Sequence, residues 1–342
     1  MGRKSKYAAL TGILTAVLIL TGCGSTETAL AAQTATAGEQ EASASGSGLS
    51  AAGGVTENTA AQAESSTAAG GRETIREFPE IDSEITVTDG NALGAFDLSH
   101  ADEGYILASY SGDADLAKLQ ITAPDGETAY TYNLPEEGYM VYPLSCGDGT
   151  YHAAIYEHVE DSSYALVYAA DLEVSLTDEM APFLIPNQYA WYDADSEAVA
   201  LGMTLSDASA DDLGYLEKVY NYVIENITYD TAKAEDPPAG YIPDADATLS
   251  EGTGICFDYA SLMTVMLRSQ GIPTRLMVGY SGTAYHAWIS VWLDEVGWVD
   301  DIIEFDGKSW SLMDPTLAAN NSKNAVKKYI GDGSNYQVKY IY

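Results

Sequence analysis

From residue 252 to residue 273 the chain reads GTGICFDYASLMTVMLRSQGIP. This pattern predicts a glycine-bearing loop followed by a helix that begins near Cys256 and ends at Gly271, with Pro273 beyond it. One face of the helix carries larger side chains three or four positions apart: Tyr259, Met263 and Met266 or Leu267. A thiol at a helix start lies at the positive end of the helix dipole, which favours thiolate over thiol. Cys256 is therefore a candidate nucleophile, although a buried cysteine in such a place is more often a packing residue.

A cysteine nucleophile needs a base, which can be distant in sequence but adjacent in the fold. Three of the four histidines lie in an earlier part of the chain that predicts a separate domain: His100, His152 and His158. The remaining one, His286, opens an alternating segment. This segment predicts a strand with His286, Trp288 and Trp292 on one face. His286 is the candidate base, and the alternative is an edge-strand histidine with no partner.

A third group, a carboxylate, would hold the tautomer of the imidazole and stabilise its charged form. Two positions compete for this role, Asp314 and the pair Asp300 and Asp301. If the His286 strand pairs antiparallel with a strand over residues 308–314, the start of one meets the end of the other and His286 lies beside Asp314. A tight hairpin directly after the His286 strand would instead place Asp301 near mid-strand. The first geometry favours Asp314, provided that the residues between the two strands form an excursion from the sheet.

Five segments, taken in this order, resemble the transglutaminase-like superfamily: NITYD (226–230), GICFDYA (254–260), LRSQGIPTR (267–275), HAW (286–288) and DPT (314–316). The resemblance covers the chain from about Asn187 onward. It implies an α+β fold with a papain-like catalytic core. In that core Cys256 would be the nucleophile, His286 the general base and acid, and Asp314 the group that orients the imidazole. The stretch between His286 and Asp314 is longer than in the compact family pattern.

The resemblance implies a cysteine-dependent hydrolase or acyltransferase that attacks a peptide or carboxamide bond and forms a thioester. Bacterial relatives are often regarded as peptidases or amidases, so hydrolysis is expected ahead of cross-linking. The intermediate needs N–H donors for its oxyanion. The backbone N–H of Cys256 is the natural first donor, and Gln188 or Asn187 is a candidate for the second. No cofactor is implied, and no metal is expected because the acidic pairs of the chain lack the spacing of a cation-binding loop.

The first residues predict an export signal. Basic Arg3-Lys4-Ser5-Lys6 precede an apolar stretch from Ala8 to Leu20, which is shorter than the ~20 residues that a spanning helix needs. The next residues, Leu20-Thr21-Gly22-Cys23, resemble a bacterial lipobox, which implies that residues 1–22 are a lipoprotein signal peptide and that Cys23 carries a lipid. The alternative is an ordinary secretory signal with a chance cysteine. The protein is expected outside the cytoplasm, anchored to the bacterial membrane through this lipid.

After the leader the composition changes twice. Residues 23–72 contain almost no large apolar side chains and cannot bury enough surface to fold, so they predict a disordered surface tether. Residues 73–180 contain short alternating segments separated by Asp-Gly turns, which predict a small β-sandwich domain. Residues 181–342 would form the transglutaminase-like domain, with a helix from Asp211 to Asn226 indicated by apolar residues at steps of three and four.

The charge of the chain limits its partners. The 342 residues include 15 Lys and Arg against 51 Asp and Glu, for a net charge of -36. A surface this negative repels phosphate, which argues against nucleic acid. The expected partner is a peptide or protein substrate, with cell-wall peptide as a candidate. The alternative function is a non-catalytic binding or adhesion lipoprotein that uses the tyrosine-rich β-domain, and the intact Cys-His-Asp set favours the enzyme.

The chain contains three cysteines, Cys23, Cys146 and Cys256. If Cys23 is lipidated, an oxidising compartment would allow the other two to form a disulfide. Such a bond would consume the one thiol with a catalytic context. Cys146, in a predicted turn before a strand, is therefore interpreted as structural or incidental.

Overall fold

The structure, a computed structural model, describes residues 71–76, 86–281, 283–294, 297–299, 304–305, 310–311 and 336–342. All of them belong to one compact unit. The predicted signal peptide (1–22), the lipidation residue Cys23 and all but the last two residues of the predicted tether (23–72) lie outside the described residues. None of the described helices has the length and apolar character needed to cross a bilayer.

Residues 86–174 form two antiparallel sheets of four strands each. Alternation of buried and partly exposed residues, as in the strand Ala117–Thr122, gives that sheet an apolar face. The strands are β1 (Asp89–Gly90), β2 (Gly94–Asp97), β3 (Tyr105–Tyr110), β4 (Ala117–Thr122), β5 (Ala129–Asn133), β6 (Met140–Pro143), β7 (Gly149–Glu160) and β8 (Ser163–Val174). One sheet has the order β1-β2-β3-β6 and the other the order β5-β4-β7-β8.

The two sheets contact each other through aromatic side chains. The ring centroids of Tyr132 on β5 and Tyr142 on β6 are 5.1 Å apart. The hydroxyl of Tyr110 on β3 donates a hydrogen bond of 2.6 Å to Glu157 on β7. Buried residues of these strands and of the following part of the chain contribute to one continuous hydrophobic core. The domain boundary near residue 180, and the β-sandwich as a separate domain, therefore stay predictions.

The part of the chain that follows is mainly helical up to residue 268. Its described residues form a 3₁₀ turn at Ala181–Phe183 and the helices α1 (Glu197–Asp207), α2 (Asp212–Asn226), α3 (Thr231–Glu235), α4 (Ala245–Glu251) and α5 (Cys256–Arg268). Another 3₁₀ turn, Ala101–Glu103, lies in the preceding part, between β2 and β3. Asp211 caps α2 by accepting a hydrogen bond of 2.7 Å from the N–H of Gly214. The predicted helix from Asp211 to Asn226 is confirmed. Beyond the end of α5, Gly271 adopts a φ of +78°, which glycine tolerates without strain.

Eight further strands are described in this part of the chain: β9 (Thr228–Tyr229), β10 (Thr253–Gly254), β11 (Thr274–Ser281), β12 (Ala284–Leu293), β13 (Gly297–Val299), β14 (Glu304–Phe305), β15 (Trp310–Ser311) and β16 (Tyr336–Ile341). The main sheet is antiparallel, with the order β13-β12-β11-β16. Gly279 is required on β11, because a Cβ there would lie 2.0 Å from the carbonyl oxygen of Gln337 on β16. Helices packed with antiparallel sheets confirm the predicted α+β class.

The two faces of β12 have different surroundings. Ala287, Ile289 and Val291 belong to the hydrophobic core that also contains the buried side chains of α5. His286 and Trp288 lie on the other face, because successive side chains of a strand point to opposite sides. The backbone N–H of Ala287 reaches the first residue of α5.

Candidate active site

Cys256 is the first residue of α5, and the local sequence explains why the helix begins there. Gly252 ends α4 with a φ of +64°, and β10 then pairs in parallel with β9. The backbone N–H of Ile255 donates a hydrogen bond of 2.8 Å to the Asp258 carboxylate, which caps the new helix. The predicted loop followed by a helix is confirmed, and Cys256 is partly accessible at the surface.

Three groups direct hydrogen bonds at the sulfur of Cys256. They are the backbone N–H of Phe257, the backbone N–H of Ala287 and the hydroxyl of Tyr229. Phe257 belongs to α5, Ala287 to β12 and Tyr229 to β9, so three elements that are distant in sequence meet at the thiol. Each of these hydrogen bonds favours the thiolate.

Burial opposes these hydrogen bonds. It is the largest influence on the Cys256 thiol and raises its pKa above the ordinary value, and the charge of Asp258 acts in the same direction. The helix start favours the thiolate, but the loss of water around the sulfur outweighs this influence and the hydrogen-bond donors, so the pKa of the thiol is raised. At neutral pH the group is a thiol, and it needs a base to become a nucleophile.

Tyr229 is a part of the site that the sequence analysis missed. Its hydroxyl accepts a hydrogen bond from the backbone N–H of Cys256 and donates one to the sulfur of the same residue. Burial, with a smaller contribution from the neighbouring thiol, raises the pKa of Tyr229 to about 12, so the hydroxyl keeps its proton. The sequence signal was its place in the segment 226–230, but the pairing of β9 with β10 is what brings it to the start of α5.

The two side chains expected to supply a second oxyanion donor have other surroundings. The amide of Gln188 accepts a hydrogen bond of 3.0 Å from the N–H of Asn133 and donates one of 2.8 Å to the carbonyl oxygen of Asn133. Asn187 accepts a hydrogen bond of 2.9 Å from the N–H of Tyr189, and its buried Nδ2 has no hydrogen-bond partner among the described residues. Both polar atoms of the Gln188 amide are thus hydrogen-bonded to the backbone of β5, whereas the side chain that contacts Cys256 is that of Tyr229.

His286 lies on β12, one residue before the Ala287 N–H that reaches the sulfur. Its ring centroid is 6.2 Å from that of Trp288, and the two planes differ by 17°. Burial lowers the pKa of the His286 imidazole to about 4, so the ring is neutral at pH 7 and able to accept a proton. The backbone of this strand reaches the thiol through the Ala287 N–H. Among the described residues, the His286 imidazole is not one of the groups that act on the thiol.

The candidates for the third catalytic group are outside the described residues: Asp300, Asp301 and Asp314. The assignment therefore stays a prediction. β12 and β13 form a hairpin in which Leu293 lies opposite Gly297, so among the described residues the neighbours of β12 are β11 and β13 and not the 308–314 strand. The choice of Asp314 over Asp301 therefore rests on the family resemblance. The described residues 310–311 of the predicted 308–314 strand pair with β14.

Cys146 and Cys256 are both free thiols. The sulfur of Cys146 lies 3.2 Å from the hydroxyl of Tyr130, and burial raises the pKa of the Cys146 thiol. Cys256 is thus not consumed by a disulfide with Cys146.

Residues 200–301 match the family model of the transglutaminase-like superfamily. The chain carries a transglutaminase-like core. The matched range contains Tyr229, Cys256 and His286 and ends at Asp301, before Asp314. The recognition of the superfamily is confirmed, with four of the five sequence segments inside the matched range, and it indicates an enzyme.

Individual proteins resemble parts of this chain. A protein-glutamine gamma-glutamyltransferase from Pseudomonas aeruginosa is 33% identical over 78 residues, which represent 18% of this chain and only 12% of that protein. A crystal structure named as a candidate cysteine protease from Cytophaga hutchinsonii has 15% identity and a TM-score of 0.30, covering 56% of this chain and 66% of the other. For red sea bream transglutaminase the identity is 11% and the TM-score 0.26, with coverage of 62% and 48%.

Proposed function

We propose that this protein is a cysteine-dependent enzyme that cleaves peptide or carboxamide bonds through a thioester intermediate. The observation that carries the proposal is the surroundings of Cys256: a thiol at the start of a buried helix, faced by the Tyr229 hydroxyl and by the N–H groups of Phe257 and Ala287. These groups come from separate elements and converge on one sulfur. They lie within the range that matches the transglutaminase-like family.

In the proposed reaction, the neutral imidazole of His286 accepts the thiol proton while the sulfur of Cys256 attacks the carbonyl carbon. The ring must come within about 2.6–3.2 Å of the sulfur for this transfer, and such hydrogen bonds often tighten only when substrate is bound. The carbonyl oxygen becomes an oxyanion, which accepts hydrogen bonds from the Cys256 N–H and from the Tyr229 hydroxyl. Asp314 is proposed to orient the imidazolium.

The intermediate then collapses. The bond between carbon and nitrogen breaks, the leaving amine takes the proton from His286, and the acyl group remains on Cys256 as a thioester. Water, deprotonated by His286, attacks the thioester and releases a carboxylic acid and the thiol. An amine in place of water would yield a new amide. We rank hydrolysis ahead of cross-linking because Cys256 is partly accessible and water reaches the thioester without a binding site of its own.

The location is part of the proposal. Cys23 would carry a lipid that anchors the protein to the outer side of the bacterial membrane, where a cell-wall peptide is a candidate substrate. Replacing Cys23 by alanine should abolish incorporation of radiolabelled palmitate and release the protein from the membrane fraction. Retention of both label and membrane association in Cys23→Ala would contradict the anchor.

The test of the activity uses the full chain incubated with peptide and cell-wall amide substrates, with and without a primary amine. Hydrolysis releases acid products in both arms, whereas transfer produces a new amide only when amine is present. Cys256→Ala should abolish turnover, and Cys146→Ala should retain it because Cys146 has no part in the reaction. Turnover that persists in Cys256→Ala would overturn the proposal.

A further inference from the structure

A buried carboxylate lies two residues beyond the proposed nucleophile. Asp258 is completely inaccessible to solvent, and its Oδ2 accepts the N–H of Ile255 at 2.8 Å and the ammonium of Lys233 at 3.0 Å. Its Oδ1 accepts a hydrogen bond from the hydroxyl of Tyr241. The reaction at Cys256 uses none of these groups directly. A carboxylate at this place caps the helix, but its charge also disfavours the thiolate of Cys256.

Lys233 is the cation that forms an ion pair with this carboxylate. It lies on α3, where its backbone N–H donates a hydrogen bond of 2.9 Å to the capping residue Asp230. Its side chain is 25% exposed, its Nζ lies 4.0 Å from the centroid of the Tyr241 ring, and it donates a hydrogen bond of 2.5 Å to the Tyr241 hydroxyl. Burial acts to lower the pKa of Lys233, but the bonds to Tyr241 and Asp258 prevail and raise it, so the ammonium is charged.

One short segment therefore touches the start of α5 twice. Tyr229, at the end of β9, contacts Cys256, and Lys233, in the first turn of α3, contacts Asp258. The segment from 229 to 233 spans both contacts. Loss of the second contact would affect both the charge near the sulfur and the placement of the Tyr229 hydroxyl.

We propose that Lys233 is a positioning residue for Cys256, which neutralises the Asp258 carboxylate and holds the 229–233 segment against the first turn of α5. The proposal rests on the proposed role of Cys256 as nucleophile. Lys233 touches neither the substrate nor the sulfur. It acts through Asp258 and through Tyr229, and so controls how readily the thiol gives up its proton.

The direction of the effect follows from the groups around Cys256. The titratable groups that act on the Cys256 thiol are Tyr229 from β9 and Asp258 from α5 itself. His286, on the neighbouring strand β12, is neutral at pH 7 and adds no charge there. In Lys233→Met, Asp258 keeps the hydrogen bonds from Ile255 and Tyr241 and its place at a helix N-terminus, all of which stabilise negative charge on a carboxylate. Its charge is then uncompensated, and ionisation of the thiol becomes harder.

The experiment measures the rate of alkylation of Cys256 by iodoacetamide in the full chain from pH 6 to 10.5, by mass spectrometry of the Cys256 peptide. Lys233→Met should move the midpoint up by about 0.5–1 unit and slow alkylation at pH 8 about three- to tenfold, since a full unit is a factor of ten. Lys233→Arg restores the charge and should stay within about twofold of the wild type. Lys218→Met, the same change on α2, is the matched control and should leave the midpoint unmoved.

Two further variants keep the test decisive if Lys233→Met folds poorly. Asp258→Asn removes the carboxylate charge and should move the midpoint down. Lys233→Met combined with Asp258→Asn should lie nearer the wild type than Lys233→Met alone. A midpoint that stays within about 0.2 unit of wild type in both Lys233→Met and Asp258→Asn would overturn the proposal, and so would a downward shift in Lys233→Met. Alkylation reports on the thiol whether or not amide cleavage is found, so the two proposals fail separately.

Discussion

The hydroxyl of Tyr229 joins two atoms of Cys256: it accepts a hydrogen bond from the backbone N–H and donates one to the sulfur. The backbone N–H of the nucleophile is the first donor that an oxyanion would use. The Tyr229 hydroxyl therefore lies next to the backbone N–H of Cys256, where the oxyanion would form. A substrate carbonyl that takes the N–H would leave the hydroxyl free to donate to the same oxygen.

Tyr229→Phe should lower kcat by about a hundred- to a thousandfold, the range for the loss of one oxyanion donor, with little change in KM. The same change should slow alkylation of Cys256, because a donor to the thiolate is lost. Tyr222→Phe on α2 is a matched control. Steady-state kinetics on a peptide or carboxamide substrate provide the measurement, and an unchanged kcat in Tyr229→Phe would show that the hydroxyl has no part in the transition state.

The pH dependence of kcat/KM should reflect a His286 imidazole and a Cys256 thiol that are both neutral at pH 7. Burial lowers the pKa of His286 to about 4, so kcat/KM should fall as the pH drops through about 4 and the imidazole becomes protonated. Burial raises the pKa of the Cys256 thiol, so the upper limb of the kcat/KM profile and the midpoint of iodoacetamide alkylation should both lie above the ordinary range of a cysteine thiol. An alkylation midpoint below 7 would instead reveal a thiolate paired with imidazolium, against this prediction.

The third catalytic group can be assigned by comparing two isosteric changes, Asp314→Asn and Asp301→Asn. We expect Asp314→Asn to lower kcat by about a thousandfold or more, since the loss of an orienting carboxylate selects the wrong imidazole tautomer. Asp301→Asn should stay within about threefold of the wild type. The reverse order, measured by single-turnover hydrolysis, would transfer the role to Asp301.

Gln188 should prove structural. Its amide pairs with both backbone groups of Asn133, so Gln188→Leu leaves a donor and an acceptor unpaired and should lower the free energy of unfolding by about 1–3 kcal/mol. The kcat of the folded fraction should stay within about threefold of wild type. Urea denaturation and active-site titration separate the two effects. A loss of kcat above tenfold at unchanged stability would make Gln188 an oxyanion donor after all.

Arg72 should stabilise the fold through hydrogen bonds to residues that are distant in sequence. Its side chain is 7% exposed. The guanidinium donates hydrogen bonds of 2.6 Å to the Asp212 carboxylate and 2.7 Å to the Ser206 hydroxyl, and a third to the carbonyl oxygen of Gln270. Arg72→Ala should lower the free energy of unfolding by about 1–3 kcal/mol, because that carbonyl loses its partner. Arg76→Ala, which removes an exposed ion pair with Asp207, should change it by about 0–1 kcal/mol. Equal effects in thermal or urea unfolding would contradict this view.

Several elements could be predicted because their determinants are local. The apolar spacing of α2, the glycine-bearing loop and the length of α5 identify two helices, and alternation identifies β12. The register of β12 could not be predicted in the same way. It depends on which neighbours pair with it, and those neighbours, β11 and β13, are identified by backbone hydrogen bonds and not by side-chain pattern.

The sequence alone determined that a cysteine begins a helix, that a histidine lies in a strand and that both lie in segments that resemble the transglutaminase-like family. The tertiary structure decided what surrounds the sulfur. It brought Tyr229 to Cys256 and Lys233 to Asp258, and it reversed the expected direction of the thiol pKa. The reason is physical: helix starts and alternation depend on adjacent residues, whereas desolvation and hydrogen bonding depend on chain segments that meet only after folding.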